Sequence, residues 1–305
     1  MPDFHKFLID GQPPSFTMGA ETLTLELGLL GEEYELKAAK ELRETPEVVD
    51  ESLRQFRQLV RGEKDLVVPL DDESFLLMFL RPCKFYPQAA FDKLRSYYRF
   101  VQKNPKLSAN LTPLHNSAVF AQDLLTILPR RDQHGRRIML LEVGRKWKTD
   151  MVSVVDLHRA IWIAMEVAKL EPRTQVAGSV VILDMQDFGM KQVWQVSPSF
   201  AANLAHWVQE CIPVRLKGVH IVRQPYVFNM AFTIFKPFLQ EKLRNRIHFH
   251  GCDWRALHKH VAPASLPAQY GGDLSLPEGT SVKLHQSFVL FEEEFREHEK
   301  YGYTS

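Results

Sequence analysis

Basic side chains concentrate in one part of this sequence. Between Arg215 and His260, nine lysine and arginine residues are accompanied by only two acids, so this stretch carries a formal charge of +7. The whole chain carries +1, which leaves −6 for the remaining residues. A local basic cluster on a chain of balanced charge is typical of a docking site for an anion such as a phosphate, a lipid headgroup or a nucleic acid. The alternative is a solvated positive face without a partner.

Histidine and cysteine residues in the same stretch could in principle bind a metal ion. Five histidines lie there, and His248, His250 and Cys252 alternate along the chain. His248 and His250 would project from one face of a strand, but the other candidates fall on a following turn or helix with no second thiol nearby. We therefore predict no metal site and no cofactor. The three cysteines are widely spaced and form no C-x-x-C pair, which is typical of reduced thiols.

The sequence also lacks the short motifs of catalysis and nucleotide binding. It contains no G-x-S-x-G, no G-x-x-x-x-G-K-[ST], no G-x-G-x-x-G and no H-E-x-x-H. Asp184 and Asp187 end a predicted parallel strand, where α/β enzymes often place acids, but no nucleophile or base accompanies them. We predict that the protein is not an enzyme. Aromatic residues beside the basic cluster alternate with aliphatic ones at helical spacing, so we expect no nucleic-acid partner.

Length and composition describe a folded protein with a large core. Of the 305 residues, 45% are hydrophobic and 25% are charged, with 38 basic and 37 acidic side chains, a composition that excludes a mainly disordered chain. No stretch approaches the roughly 18 consecutive apolar residues of a membrane-spanning helix. The first ten residues have neither a basic nor a continuous apolar region, so we expect no signal peptide and a cytoplasmic location.

Helical spacing of apolar residues begins near residue 32. Thr45 followed by Pro46 is typical of a helix start. A later helix is predicted from Pro87 to Gln102, because its apolar residues recur every three or four positions. The pattern predicts a small helical module over residues 32–105, preceded by an extension over residues 1–31.

Strand and helix patterns alternate in the rest of the chain. The predicted strands are Arg136–Val143, Gly178–Asp184, Gly218–Val222 and Arg246–His250, and the predicted helices are Asp156–Leu170, Ser199–Cys211 and Pro225–Arg246. Two of the strands are nearly continuous apolar runs, as expected of strands buried on both faces. The last helix should be interrupted or bent near Pro237. This alternation predicts an α/β fold with a mostly parallel sheet and right-handed crossovers.

Four stretches carry a resemblance to a known family. They are FLLMFLRPCKFYPQAAF at Phe75–Phe91, RDQHGRRIMLLEVGRKW at Arg131–Trp147, the KPFL-containing stretch Ile212–Gly251, and LPAQYGGDL at Leu266–Leu274. Together they resemble the CRAL-TRIO lipid-transfer family, the group that includes the tocopherol transfer protein and the cellular retinaldehyde-binding protein. Met78, the pair Pro82-Cys83 and Gln269 depart from the family's pattern.

The resemblance implies a fold and a division into domains. The implied fold is α/β, in which the small N-terminal helical module precedes a CRAL-TRIO domain. That domain would have a mostly parallel sheet, flanking helices and a mobile lid helix over an apolar cavity. It would span residues 106–290 and be followed by a C-terminal tail over residues 291–305.

The helix Pro225–Lys242 resembles the lid of this family. Its aromatic residues, Tyr226, Phe228, Phe232 and Phe235, are too frequent for a single buried stripe. We therefore expect some of them to face the ligand and others to face water or a bilayer. The alternative is a helix that is buried on all sides in a closed core.

The resemblance also implies roles for individual residues. Nine of them would line the pocket: Ile161, Met165, Leu183, Leu204, Trp207, Val208, Ile212, Val214 and Val219. Four basic residues would bind a phosphoinositide headgroup: Arg215, Lys217, Lys242 and Arg246. The tocopherol transfer protein carries serines where Ile161 and Met165 stand here, so the pocket of this chain should be more apolar.

The function implied by the resemblance is that of an intracellular lipid carrier. It would bind one hydrophobic lipid, such as a retinoid, a tocopherol or a carotenoid-like molecule, in a buried pocket. Phosphoinositide-triggered opening of the lid would allow exchange at membranes. The expected partners are this lipid and phosphoinositide-containing membranes, and we expect a cytoplasmic monomer that associates with membranes transiently. The alternative is a phosphoinositide-binding adaptor in vesicle traffic that transports no ligand.

Overall fold

A computed structural model describes residues 12–304 of the chain. In this range the strands are β1 (Ser15–Met18), β2 (Glu21–Thr24), β3 (Leu66–Val67), β4 (Leu125–Ile127), β5 (Arg137–Leu141), β6 (Ser179–Asp184), β7 (Leu216–Val222), β8 (Ile247–Gly251) and β9 (Gly302–Tyr303). The α-helices are α1 (Glu32–Leu42), α2 (Pro46–Gly62), α3 (Glu73–Leu80), α4 (Pro87–Lys103), α5 (Pro105–Ser108), α6 (Ser117–Ala121), α7 (Val154–Leu170), α8 (Pro172–Ala177), α9 (Met190–Val193), α10 (Pro198–His206), α11 (Phe228–Phe235), α12 (Glu241–Arg244), α13 (Trp254–His258), α14 (Thr280–Val289) and α15 (Glu292–His298). Short 3₁₀ turns lie at Leu114–Asn116, Lys236–Phe238, Pro263–Ser265 and Ala268–Tyr270, and a π-helical turn at Trp207–Cys211.

The N-terminal helices begin where the sequence predicts. The hydroxyl of Thr45 accepts a hydrogen bond from the backbone N–H of Val48 at 3.4 Å and caps α2. The carboxylate of Asp72 caps α3 by accepting two backbone N–H groups of its first turn. Helix α4 begins at Pro87, as predicted, and ends one residue later than predicted. The apolar faces of α2, α3 and α4 pack together, which satisfies the amphipathic pattern of each helix.

A five-stranded sheet in the order β4-β5-β6-β7-β8 forms the centre of the structure. Strands β5 to β8 are parallel, and β4 pairs antiparallel with β5 at one edge. The prediction of a mostly parallel sheet is therefore confirmed. Each parallel connection advances to the next strand in the same direction, so right-handed crossovers place the connecting helices on one face of the sheet.

Both faces of the sheet bury apolar side chains, which successive residues of a strand direct to opposite sides. One face packs against the C-terminal segment: Ile138, Leu140, Val180, Ile182 and Val222 contact Leu257, Val261, Leu266 and Tyr270. The other face points towards α7, α10 and α11: it presents Met139, Leu141, Val181, Leu183, Val219 and Ile221. Burial on both sides agrees with the continuous apolar runs in the sequence.

The segment between β7 and β8 differs from the single helix predicted over Pro225–Arg246. Helix α11 begins at Phe228 and ends at Phe235, a 3₁₀ turn follows, and α12 is a separate short helix. The break coincides with Pro237, as predicted, because proline has no N–H to donate and its ring clashes with the preceding turn. The segment over the sheet therefore consists of short pieces.

The two ends of the described range contain elements that the sequence analysis did not assign. Strands β1 and β2 form an antiparallel hairpin, and β9 pairs with β3 through the register Leu66–Tyr303. These strands have only two to four residues, which is too short for an alternating pattern to be recognised. Helix α15 lies within the residues predicted as a C-terminal tail.

A buried carboxylate joins the N-terminal segment to the sheet. Glu171, between α7 and α8, accepts hydrogen bonds from the Arg137 guanidinium at 3.0 Å and from the backbone N–H of Glu26 at 2.9 Å. A guanidinium nitrogen of Arg131 lies 3.3 Å from the same carboxylate. Burial acts to raise the pKa of Glu171, but the charges of Arg137 and Arg131 outweigh it and lower this pKa to about 2.

Replacing this carboxylate should destabilise the fold strongly. The Glu171→Gln variant leaves the buried guanidinium of Arg137 with only the more distant carboxylate of Glu26, at 3.6 Å, which costs about 3–5 kcal/mol of the free energy of unfolding, measured by urea unfolding at pH 7. Because the folded pKa is depressed, the wild type should lose this stabilisation as the pH falls from about 5 to about 2. The control Glu51→Gln removes an exposed pair with Arg54 and should change the free energy by less than about 1 kcal/mol. An equal change in the free energy of unfolding in both variants would contradict the role of Glu171.

Candidate functional site

A cavity of about 270 Å³ lies between the sheet and the helices that cover it. Strands β5 to β8 form its floor, and α7, α10 and α11 form its sides and roof. Among the residues that the structure describes, every side chain that lines it is hydrophobic except that of His158. Its volume is slightly below the range of roughly 300–1,000 Å³ that is typical of small-molecule sites, and its lining suits an apolar guest.

Six of the nine predicted pocket residues line this cavity: Ile161, Leu183, Leu204, Trp207, Val208 and Val219. Met165 does not, because it lies one helical turn beyond Ile161, beside Leu25 and Ile127 in a separate small apolar space. Ile212 and Val214 precede β7 and line a neighbouring polar cleft instead. The structure therefore brings together two thirds of the predicted set.

Helix α11 presents one aromatic face to the cavity. Phe228, Phe232 and Phe235 all line it, at a spacing that keeps them on one side of the helix. Tyr226 precedes the helix and is 88% exposed, and Met230, on another face of α11, is 50% exposed. The alternative of a helix buried on all sides is therefore wrong.

Other apolar side chains near α11 are also exposed to solvent. Trp194 directly follows α9, which packs on α11, and it is 75% exposed. The ring of Phe249, which is 46% exposed, has its centroid 5.0 Å from that of Phe232. No sequence pattern marks Trp194 or Phe249, because each is an isolated aromatic in its own segment.

The four basic residues predicted to bind a headgroup surround a single cleft of about 440 Å³. Arg215 and Lys217 lie at the start of β7, and Lys242 and Arg246 lie on and after α12. Two further lysines, Lys84 and Lys93, reach the same cleft from the N-terminal helices. No sequence pattern marks Lys84 or Lys93, because only the fold brings residues so distant along the chain to this place.

An acid from α1 neutralises part of this cleft. The Glu41 carboxylate accepts a hydrogen bond from Arg215 Nη2 at 2.9 Å and lies 3.5 Å from Lys217 Nζ. Partial burial acts to raise the pKa of Glu41, but the hydrogen bond from Arg215 and the surrounding positive charges lower it. Burial and the charge of Arg215 lower the pKa of Arg246. Positive charges therefore lie close together in the cleft, and a bound phosphate group would reduce the repulsion between them.

The apolar cavity and the basic cleft share a wall. Val208, Leu216 and Leu243 line both spaces. A single layer of side chains therefore separates a site suited to an apolar guest from a site suited to an anion.

Asp184, at the end of β6, forms hydrogen bonds that hold neighbouring segments together. Its carboxylate accepts hydrogen bonds from Tyr270 Oη at 2.7 Å and from the guanidinium of Arg223. Tyr270 belongs to the LPAQYGG stretch, in which Gly272 packs so closely that a Cβ there would lie 2.0 Å from the carbonyl oxygen of Leu266. This arrangement ties the C-terminal segment to the sheet.

Four histidines cluster on the sheet face opposite the cavity. His220 Nδ1 lies 3.0 Å from His250 Nε2, and the rings of His248 and His260 are 4.4 Å apart. The side chain of Arg136 adds a further positive charge beside them. Within residues 12–304, no three histidine, cysteine or acidic side chains are arranged to hold a metal ion.

Sequence comparison identifies the family. Residues 121–272 match the family described as the CRAL/TRIO domain. Clavesin-1 of Pongo abelii is 33% identical over 258 residues, which cover 84% of this chain and 72% of that protein. This chain belongs to the CRAL-TRIO family. The expected membership is thereby confirmed, together with the expected α/β fold.

Other clavesins match over a similar length. Human clavesin-2 is 32% identical over 252 residues, covering 82% of this chain and 76% of that protein. Clavesin-1 of Xenopus laevis is 34% identical over 253 residues, with coverages of 82% and 75%. The crystal structure of Sfh5 superposes with a TM-score of 0.41 at 12% identity, covering 86% of this chain and 99% of that one.

Membership in the CRAL-TRIO family establishes the general activity. Proteins of this family bind and transfer hydrophobic lipids. None of the helices in residues 12–304 combines the length and the apolar character that crossing a bilayer requires.

The histidine cluster should make the stability of the fold depend on pH. Burial lowers the pKa of His220 to about 3 and that of His250 to about 4, against about 6.5 in the unfolded chain. The unfolded chain therefore binds more protons below pH 6.5, and the free energy of unfolding should fall as the pH drops from 7.5 to 5. In urea unfolding, His220→Phe should reduce this fall by about 2 kcal/mol. The interval from pH 6.5 to pH 5 spans about 1.5 units, and each unit corresponds to about 1.4 kcal/mol. The exposed control His134→Phe should retain the full pH dependence; an unchanged fall in His220→Phe would contradict the assignment.

Proposed function

We propose that this chain holds one hydrophobic lipid in the cavity and exchanges it at membranes when a phosphoinositide headgroup enters the basic cleft. The observation that carries this proposal is the shared wall formed by Val208, Leu216 and Leu243. An anion drawn into the cleft acts on the same side chains that close the cavity. Binding of the headgroup and opening of α11 are therefore coupled.

The energetics of an apolar guest explain why release occurs at a membrane. A terpenoid-sized molecule that buries about 500 Å² gains about 12 kcal/mol of transfer free energy, before the costs of ordering. Escape into water forfeits this gain, whereas escape into the equally apolar interior of a bilayer does not. A carrier with this cavity retains its guest in solution and exchanges it where α11 meets lipid.

The exposed apolar side chains near α11 support contact with a bilayer. Tyr226 and Met230 project from the lid segment, and Trp194 and Phe249 lie beside it. Aromatic side chains on an amphipathic surface insert at the boundary between headgroups and acyl chains. The inward face of α11 would keep covering the cavity until this insertion separates it from the sheet.

Basic residues of the cleft supply the attraction to an anionic membrane. Arg215, Lys217, Lys242 and Arg246 bind the headgroup in this proposal, and arginine can grip a phosphate with two parallel hydrogen bonds. Each basic group near an anionic leaflet contributes about 1 kcal/mol. Since phosphoinositides lie in the cytoplasmic leaflet, the carrier would work on that side. Glu41 competes with the headgroup for two of these four cations.

A vesicle assay tests the role of the cleft. Full-length protein loaded with all-trans retinol as a fluorescent probe is mixed with phosphatidylcholine vesicles with or without phosphatidylinositol bisphosphate. The Glu41→Gln variant should bind the bisphosphate vesicles about five-fold more tightly, because it frees the charges of Arg215 and Lys217. Lys242→Ala combined with Arg246→Ala should weaken binding about thirty-fold and slow the transfer of retinol.

A matched double variant separates the cleft from general electrostatics. Arg255→Ala with Lys259→Ala removes the same charge at the same spacing from an exposed segment around α13. It should weaken vesicle binding far less than the cleft variant does. Equal effects of the two double variants, or retinol transfer that is insensitive to bisphosphate, would refute coupling. Cleft-dependent binding without retinol transfer would instead support an adaptor that transports no ligand.

A further inference from the structure

Among residues 12–304, one side chain that lines the apolar cavity is not hydrophobic. His158, on α7, is 1% exposed, and it lines the cavity together with Trp207. Neither ring nitrogen of His158 has a hydrogen-bond partner among residues 12–304, and the same holds for Trp207 Nε1. Buried polar atoms without a partner are rare, and each one costs free energy.

These unpartnered nitrogens belong to neighbouring rings. The centroids of His158 and Trp207 are 4.7 Å apart, with the ring planes inclined at 70°. His158 is otherwise surrounded by the aromatic rings of Trp162, Phe200 and Phe100. A phenylalanine would pack in this aromatic environment without the cost of two unpartnered nitrogens, so packing does not explain a histidine.

Trp207 is held by an unusual backbone. It begins the π-helical turn Trp207–Cys211, which continues from α10. Single π-helical turns interrupt the regular hydrogen bonding of an α-helix and occur frequently at functional sites. The turn and the unpartnered nitrogens are independent features that converge on the same place in the cavity.

The hydrogen-bonding capacity of the two rings defines a complementary group. Burial lowers the pKa of His158 to about 4, so the imidazole is neutral at pH 7 and has one donor and one acceptor nitrogen. The indole of Trp207 is a donor only. A hydroxyl group can donate to the imidazole or accept from it while accepting from the indole, so it pairs with either tautomer of His158, whereas a carbonyl pairs only with the tautomer that turns its N–H towards the ligand.

We propose that His158 and Trp207 form a polar recognition site inside the apolar cavity, and that the lipid carried is a long apolar alcohol whose hydroxyl contacts both rings. This inference rests on the proposed function, since it specifies the class of molecule that the cavity holds. The apolar lining binds the hydrocarbon part, and the two rings select its oxygen-bearing end.

A set of three matched probes tests the selection. Farnesol, farnesal and farnesene share an apolar chain and carry a hydroxyl, an aldehyde and no oxygen. Each is offered to the full-length protein from phosphatidylcholine vesicles, and the loaded fraction is measured by extraction and mass spectrometry. The wild type should load farnesol about ten-fold better than farnesene, equivalent to about 1.4 kcal/mol, with farnesal in between.

Single variants assign the preference to the two rings. His158→Phe and Trp207→Phe should each reduce the preference for farnesol over farnesene to about two-fold or less, while farnesene still loads. The control Ile161→Val removes one methyl group from the same cavity. It should lower the loaded fraction of all three probes alike, so the ratio of farnesol to farnesene stays unchanged. His158→Phe should also raise the melting temperature without ligand, which verifies that the variant folds.

Each outcome decides the inference. Equal loading of farnesol and farnesene by the wild type, or an unchanged ratio in both ring variants, would overturn it while leaving lipid carriage intact. A preference for farnesal over farnesol would overturn the assignment of an alcohol. Failure of all three probes to load would overturn the proposed carriage and this inference with it.

Discussion

Exclusion of water from one face of the central sheet is the constraint on which this structure depends. On the opposite face, Leu257, Val261 and Tyr270 pack directly onto the strands. On the face towards α7, α10 and α11, apolar side chains line a cavity of about 270 Å³. Side chains alternate between the two faces of each strand, so the same strands contribute to a packed core on one side and line an apolar site on the other. Helix α11, which ends just before the break at Pro237, carries or adjoins exposed apolar side chains, among them Tyr226 and Met230.

In the proposed function, the basic cleft controls the opening of the apolar cavity because the two spaces are adjacent. One layer of side chains separates the two spaces, and the cleft draws cations from both the sheet and the N-terminal helices. Glu41 holds two of these cations in an ion-paired arrangement, so the helical module influences how much charge the cleft offers to a membrane. The N-terminal helices thus contribute to the site as well as to the core.

Much of the fold was predictable because its signals are local. Continuous apolar runs predicted β6 and β7, Thr45 and Pro87 marked helix starts, and Pro237 marked a break. The family resemblance indicated four cations that the structure brings to one cleft. Lys84, Lys93 and Glu41 could not be found this way, because only tertiary packing brings them there. His158 was missed because a histidine three residues before Ile161 on an apolar helix face is typical of ordinary core.

The central claim is that the cavity holds one apolar molecule, and native mass spectrometry of the purified full-length chain tests it most directly. We expect a species heavier than the 35.3 kDa polypeptide by a single small molecule. Organic solvent should extract that molecule, and it should rebind at one per chain when offered from neutral vesicles. A spectrum of the polypeptide alone, which stays unchanged after exposure to retinol, farnesol and tocopherol, would contradict the claim.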